Sequence, residues 1–572
     1  MKRLTICALT LLSVALIAHQ AVMAAPPHPE LASRIQQGLV EEPYFLANLA
    51  QMRAKGISSG LGNSYRVPGS SDRQGLGKTA ESEFRALALL VEFSDQPMRV
   101  QAEFFDSLIF GINGQTVRDY YGEVSHGQID IVTVDLPTST GWQTAPQTYE
   151  YYVNSRNGTG SYPRNSQKLV EDLVDGVDDQ IDFSLYDNDG DGYVDVLMVI
   201  HAGTGAEFSG SDDDIWSHEW QISPRYKDGV AISTFTIQPE YWTRPGDMTI
   251  GVCCHELGHG FGLPDLYDTD YSSHGVGRWC LMSYGTWLGP SGRGSCPAHL
   301  SAWCKKELGV IEPVNPTGNV SGQEIPAVED SAVAWRLWSA GTGGSEYFLL
   351  ENRQKVGYDA YLPGHGLLIW HIDESRSGNS REFYPGMNPQ DHPLVALEQA
   401  DGYFSLEKRI DAGEGNDPFP GNGNRTEFSL LTVPSSESYL GGPTTVSVAE
   451  ITEDNGVVTA DLIVGLSGSS DGDDDDIPVP SVPTLAQNYP NPFNPSTTIS
   501  FYLPDPAHVT LKVFDVRGRR VVTLVDNLGE SGVTSIEWDG CDEDGKRAGS
   551  GVYFCRLQAD GSESTSKMVL TR

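Results

Sequence analysis

The stretch His255-Glu-Leu-Gly-His259-Gly-Phe-Gly262-Leu-Pro264-Asp265 constrains this chain more than any other, because its spacing admits few structures. Histidines four residues apart stand on one face of a helix, little more than a turn from each other, so both imidazoles can reach one ion. Gly262 suits the left-handed backbone that ends a helix and Pro264 cannot continue one, so the chain must bend back and bring Asp265 towards the same point. His255, His259 and Asp265 are therefore the expected zinc ligands. Glu256 stands beside the ion without ligating it, placed to take a proton from a water that the metal acidifies and to return it to a leaving amine. This residue set points to hydrolysis of peptide bonds.

A second segment supports the first from a distance. Arg278-Trp-Cys-Leu-Met282-Ser-Tyr284-Gly places a methionine seventeen residues past Asp265 in a tight, Gly-bounded stretch. Alone, a methionine is core filler. Together with the extended histidine motif, Met282 completes the metzincin pattern, in which a Met-turn lies under the metal. Tyr284 stands where some metzincins hold a tyrosine over the zinc to donate to the oxyanion of the transition state. The competing reading of Tyr284 is a buried ring whose hydroxyl is satisfied within the fold.

The segments HELGHGFGLPDLYD, PAHLSAWCKKELG, GLLIWHIDE with ALEQADG, and VRDYYGEVSHGQ near residue 120 resemble the immune inhibitor A group of bacterial metalloproteases over roughly residues 85 to 460. The resemblance implies a metzincin-like catalytic domain, zinc held by two histidines and an aspartate, structurally bound calcium, and protein substrates. Its ligand positions fall on His255, His259 and Asp265, with Glu256 as the base.

Calcium has its own candidate in Asp187-Asn-Asp189-Gly-Asp191-Gly-Tyr193-Val-Asp195. Side-chain oxygens at the first, third and fifth positions, the Tyr193 carbonyl at the seventh and Asp195 at the ninth reproduce the start of an EF-hand loop. The twelfth position is Met198, so the closing glutamate is missing, and the run VDVLMVIHAG reads as a buried strand, which excludes a helix-loop-helix hand. The expectation is a calcium-clamped entry to a strand, set against a solvated Asp/Gly turn. Asp411, Glu414 and Asp417 in DAGEGNDPFPG form a weaker candidate. His371 and Asp373 alternate on a strand with no third ligand and read as ordinary core and surface positions.

Composition divides the chain. Lys2, Arg3, an apolar run from Leu4 to Ile17 and small residues around Val22-Met-Ala24 read as a secretory signal over residues 1–24. Residues 25–82 are polar and hold no cysteine, so a pro-segment here could not cap the zinc with a thiolate. A catalytic domain is expected over 83–310 and a β-rich companion domain over 311–465, where short apolar runs alternate with turns. An acidic, proline-containing linker over 466–482 separates a last unit, 483–572, whose alternating strands suggest an immunoglobulin-like β-sandwich. The motifs of that unit, among them NYPNPFNPSTT, resemble C-terminal domains related to the flagellar hook-capping protein and to type nine secretion sorting signals, which implies export or attachment to a cell surface. The expected fold class is thus multidomain: an α+β metzincin-like zinc protease domain, a β-rich companion and a C-terminal sandwich.

A net charge of −39 makes nucleic acid and anionic membranes poor partners and calcium a good one. Apart from the signal, no stretch is apolar enough to span a bilayer. With Cys7 in the signal, Cys541 and Cys555 are expected to pair in the last domain. Cys253, Cys254, Cys280, Cys296 and Cys304 are then left for two bridges and a free thiol. The function these observations favour is a secreted zinc endopeptidase. The alternative is a latent or inactive surface-binding protein on the same fold, which would have no use for an unligated glutamate beside the metal.

Overall fold

Two apolar runs set the architecture before residue 310. Leu87–Glu92 and Leu197–His201 are apolar without alternation, as strands covered on both faces are, and they pair in parallel at the centre of a five-stranded sheet. Across the sheet the order is Trp142–Thr144, Leu87–Glu92, Leu197–His201, Val230–Pro239 and His218–Lys227. The first four run parallel, and His218–Lys227 runs antiparallel at the edge. The period of two sorts the side chains between faces. Leu87, Leu89 and Val91 share a core with Leu169, Val170 and Val174 of the helix Ser166–Val177. Ala88, Leu90, Met198 and Ile200 share another with the helices Ala102–Phe110, Val117–Val124 and Ile250–Gly260. Helix Ser166–Val177 starts where it does because the Asn165 side chain accepts the Lys168 amide at 3.2 Å.

The computed structural model describes residues 24–55, 82–112, 114–338, 344–440, 444–465, 482–485, 488 and 491–571. The apolar run of the expected signal, residues 56–81 of the expected pro-segment and nearly all of the linker lie outside the described residues.

Beyond residue 310 the alternating runs become strands, as their spacing predicts. Val395–Leu397, Gly366–Asp373, Glu346–Arg353 and Trp335–Leu337 form an antiparallel sheet, and Ser447–Asp454, Val457–Ile463 and Val320–Ile325 form another. Phe348, Leu350, Leu367 and Ile369 fill the space between these sheets. Leu349, Leu368 and Trp370 alternate with them and join the core that holds Trp279 and Met282. The companion sheet is therefore packed directly behind the Met282 segment.

In the last unit a sheet of Thr484–Leu485, Thr497–Leu503 and Gly532–Trp538 faces a sheet of Arg520–Gly529, Ala507–Asp515, Gly551–Ala559 and Ser562–Leu570. Ile499, Phe501, Val509, Leu511, Trp538 and Leu557 fill the core between them, which is the expected sandwich. No helix among the described residues is long and apolar enough to cross a membrane.

The disulfide expectation is corrected. No disulfide forms among the described cysteines. Cys541 lies in a turn bridged to Arg547, whereas Cys555 stands on its strand opposite Val513 and Ser566, so the expected partners do not face each other. Cys280 and Cys304 bring their sulfurs to 3.9 Å as thiols.

Candidate active site

Helix Ile250–Gly260 is buried along its whole length, which places any polar group on it in a dry environment. It stops where the sequence says it should, with Gly262 at φ +84°. The chain then turns back and Asp265 arrives beside the histidines. Nε2 of His255 and Nε2 of His259 are 3.2 Å apart, and Asp265 Oδ1 lies 3.1 Å and 3.3 Å from them. His255 Nδ1 faces the Leu281 carbonyl at 2.9 Å and His259 Nδ1 faces the Leu263 carbonyl at 2.8 Å. Carbonyl oxygens only accept, and in each ring the nearer one faces Nδ1; a proton held there turns the Nε2 lone pair inward, ready for an ion.

Two lone pairs and a carboxylate oxygen cannot bond one another, and the triangle they form is repulsive until a cation sits among them. Its edges match the roughly 3.3 Å between neighbouring ligands of a tetrahedral zinc with bonds of about 2.0–2.1 Å. The residues present fit zinc.

Glu256 is fully buried, and neither of its carboxylate oxygens has a hydrogen-bond partner. Burial, and after it the carboxylates of Asp265, Glu207 and Glu219, push its carboxyl well above the usual range. A cation at the triangle acts in the opposite sense. Met282 lies under the helix, where a Cβ on Gly258 would come within 2.6 Å of its sulfur, and its carbonyl accepts the Leu266 amide at 2.7 Å. Tyr121, from the segment VRDYYGEVSHGQ, donates its hydroxyl to the Cys254 carbonyl at 2.7 Å and so ties a neighbouring helix to this one.

An extended stretch from far up the chain lies across the triangle. Ala24 bridges the edge strand antiparallel at His218, the Ala25 amide donates to the Ser217 carbonyl, and the Trp216 indole donates to the Ala25 carbonyl. Trp287 bonds the Pro26 carbonyl and the His28 amide bonds the Glu207 carbonyl. The Ala24 carbonyl oxygen is 3.3 Å from His255 Nε2 and accepts the Tyr267 hydroxyl at 2.8 Å, while the Ala24 amide reaches Asp265 Oδ2 at 3.2 Å. The edge strand and the triangle thus bound a groove that takes a peptide in extended form. The expected signal boundary at Ala24 falls inside this groove.

Tyr284 is buried one ring behind that carbonyl, 6.2 Å from Tyr267 and edge-on to His274 at 5.4 Å. Tyr267, Glu207, Glu219 and Trp216 were not singled out by motif. Tyr267 stood in plain sight two residues past Asp265, but the segment IWSHEW carries no spacing that announces a groove. Glu219 is pushed up to about 8 by burial and by Asp265, and Glu207, which accepts the Ser217 hydroxyl and amide, is pushed up to about 7 by burial.

The acidic loop is brought together only in part. Carboxylate oxygens of Asp187, Asp189 and Asp191 lie within 4.8 Å of one another. Asp187 already accepts the amides of Gly190, Asp191 and Gly192, and Asp191 accepts that of Tyr193. Asp195 lies outside that group of three: the Asn188 amide and side chain hold its carboxylate at 2.6 Å and 2.9 Å. Tyr193 bridges Ala231 with its ring exposed. Of the second acidic turn, Glu414 and Asp417 come together with Asp401 rather than with Asp411. His371 and Asp373 diverge, His371 to Glu346 and Glu398, Asp373 to His392.

Residues 73–310 match the family described as immune inhibitor A peptidase M6, catalytic domain, and residues 490–563 match the FlgD Ig-like domain. Immune inhibitor A of Bacillus thuringiensis subsp. alesti is 33% identical over 281 residues, 40% of this chain and 40% of that protein. Pre-pro-metalloprotease PrtV of Vibrio cholerae is 29% identical over 281 residues, 39% of this chain and 29% of that protein. The chain therefore spans well under half the length of these curated relatives. Among solved structures, FlgD from P. aeruginosa is 26% identical over 13% of this chain and 58% of that chain, at a TM-score of 0.12, too low to carry an argument. By these matches, residues 73–310 are a peptidase M6 domain of the immune inhibitor A type and residues 490–563 a FlgD-type immunoglobulin-like domain.

Proposed function

We propose that this chain is a zinc metalloendopeptidase of metzincin-like fold, exported from the cell and acting on proteins or peptides. The observation that carries the reading is the triangle of His255 Nε2, His259 Nε2 and Asp265 Oδ1 with edges of 3.1–3.3 Å, both imidazoles fixed from behind by carbonyls. Bound there, zinc supplies a Lewis acid that polarises a carbonyl and acidifies water. Glu256 takes the proton released by the attacking water and passes it to the leaving amine, a task its dry and unpartnered carboxyl suits. The Tyr267 hydroxyl is positioned to donate to a carbonyl oxygen in the groove, as it does to Ala24, and to strengthen that bond as charge develops. Tyr284, expected in that role, braces Tyr267. The edge of His218–Lys227, which here pairs with Ala24, is suited to recognise main chain rather than a peptide terminus, which favours internal cleavage.

Calcium at Asp187, Asp189 and Asp191 belongs to the same reading and is supported by loop spacing. The FlgD-type domain is the part suited to engage secretion machinery or a cell surface. Strong negative charge leaves nucleic acid aside.

A second reading, a latent form, has one observation in its favour: residues 24–28 fill the groove that a substrate would use. Digestion of an unfolded protein by the purified chain, beside its Glu256→Ala variant and with zinc assayed on both, separates the two. Cleavage by the parent alone, with zinc in both, supports the active endopeptidase. Zinc in both without cleavage, and cleavage by the parent once the segment before residue 82 is removed, supports latency. Absence of zinc from the parent overturns both.

A further inference from the structure

The segment Ala24–His28 runs antiparallel to the edge strand, and its contacts give it a register in the groove. The Ala24 carbonyl is the one beside His255 and bonded by Tyr267. On the endopeptidase function proposed above, from which this inference starts, the bond Ala24–Ala25 therefore occupies the place of the bond to be cut. His28 is then the fourth residue on the leaving side.

Most of what holds the segment ignores its sequence. The Ser217 carbonyl accepts the Ala25 amide, the indoles of Trp216 and Trp287 donate to the carbonyls of Ala25 and Pro26, and the Glu207 carbonyl accepts the His28 amide. Any extended peptide offers these main-chain groups, and choice among peptides must come from side chains. The side chains of Ala24, Ala25, Pro26 and Pro27 carry neither donor nor acceptor. His28 is the exception.

Its ring lies 4.7 Å from that of Phe208 and 5.0 Å from that of Trp287, edge-on to the indole at 83°. Trp242 stands behind both, 5.8 Å from Phe208 and 5.3 Å from Trp287. These aromatic residues come from three separate segments: Phe208 beyond the strand Leu197–His201, Trp242 beyond Val230–Pro239 and Trp287 beyond Met282. The Trp242 indole donates to the Thr249 hydroxyl at 3.2 Å, which ties the cage to the start of the helix that carries His255 and His259.

Polar contacts decide which rings the cage suits. His28 Nε2 meets the Gly292 carbonyl at 2.9 Å, and Nδ1 meets the Glu30 amide at 3.3 Å. A carbonyl only accepts and an amide N–H only donates, so one ring nitrogen carries a proton, the other does not, and the imidazole is neutral. Burial favours that neutral form, and the Arg293 guanidinium, 5.3 Å from the centre of the Phe208 ring, acts in the same sense. A lysine or arginine in this place would meet a like charge.

We infer that Phe208, Trp287 and the Gly292 carbonyl form a specificity subsite for the fourth residue beyond the cut, which takes a neutral histidine or another aromatic side chain and disfavours lysine and arginine. His28 also caps the helix Pro29–Gln36 through Nδ1, so the test must separate the ring from the cap.

The first arm offers a random peptide library to the full chain, saturated with zinc, and maps the cuts by mass spectrometry. Histidine, phenylalanine, tyrosine and tryptophan are expected to be enriched by about tenfold at the fourth residue past the cut, with lysine and arginine depleted. Cuts without preference there overturn the inference and leave the endopeptidase standing. The second arm needs no turnover. Hydrogen-exchange protection of the amide of residue 28 is measured in the zinc-saturated Glu256→Ala chain and in the same chain carrying His28→Phe or His28→Asn. Phenylalanine keeps a ring and loses the cap, whereas asparagine keeps a cap and loses the ring. Protection is expected to fall by about tenfold in His28→Asn and to stay near the parent's in His28→Phe. The reverse order, or no change in either variant, overturns the inference. A chain that cuts nothing in the first arm counts against the endopeptidase reading, and the second arm then decides for the cage alone.

Discussion

The triad His255, His259 and Asp265 and the loop Asp187–Asp195 look alike as strings, each a set of metal-binding side chains at a known spacing, and they differ sharply as places in the fold. At the triad all three residues are buried, and the imidazole Nε2 atoms face each other, the Asp265 carboxylate and, at His255, the Ala24 carbonyl oxygen. In the loop the carboxylates are half-buried or exposed, and backbone amides already occupy them. The loop folds as a chain of Asx turns whose amides share the carboxylates with any ion. The difference teaches that spacing nominates a metal site, whereas unmet acceptors in a dry setting make the cation necessary.

Breaking the triad should cost most. We predict that His259→Ala loses zinc and, with it, measurable hydrolysis, while Glu256→Gln keeps zinc and loses about 10²–10⁴ in kcat. A Glu256→Gln variant that turns over normally would remove the base from the account. Next comes the tyrosine pair. Tyr267→Phe should lower kcat by about 10²–10³ with KM little changed, as removal of a transition-state donor does. Tyr284→Phe should fall by no more than about tenfold, and the reverse order would hand the donor role back to Tyr284.

The buried side of the comparison also predicts a pH response. His218, on the edge strand between the Trp216 carbonyl and the Ser166 hydroxyl, is drawn down to about 4 by burial. An unfolded histidine titrates near 6.5, so the unfolded chain takes up the proton first as the solution is acidified. The stability this residue contributes is complete above about pH 6.5 and is lost as pH falls to about 4, by up to roughly 3 kcal/mol. Urea titrations of the zinc-saturated chain across that range should show the decline, and His218→Phe should flatten it. The smallest effect belongs to the exposed loop. In excess EGTA with zinc retained, the parent should melt lower than in calcium, while Asp187→Asn should cost only about 0.5–1 kcal/mol in EGTA. A loss several times larger would mean that the loop is as dependent on its ion as the triad.

Much of this was legible in the chain. The Gly262 turn, the placing of Met282 beneath Gly258 and the buried strand Leu197–His201 follow from residue type and period, which act locally. Spacing could not say which way the Asp195 carboxylate turns, and in the fold Asn188 bonds it. Asp401 was passed over because its partners are more than ten residues on and only the folded loop joins them. Tyr267 was overlooked for a different reason: what gives it a role is a carbonyl contributed by residue 24, a contact across 243 positions. The pairing of Cys541 with Cys555 failed because a turn bridged to Arg547 holds the first away from the strand that carries the second.

The most direct test of the central claim is X-ray absorption at the zinc edge on the purified full chain. The account predicts one zinc with two nitrogen and one oxygen ligand from the protein at about 2.0–2.1 Å, and no sulfur. Helix Ile250–Gly260 also carries Cys253 and Cys254, so competing sulfurs are close in sequence to His255. A sulfur shell at about 2.3 Å, or a chain that purifies with no zinc and takes up none, would contradict it.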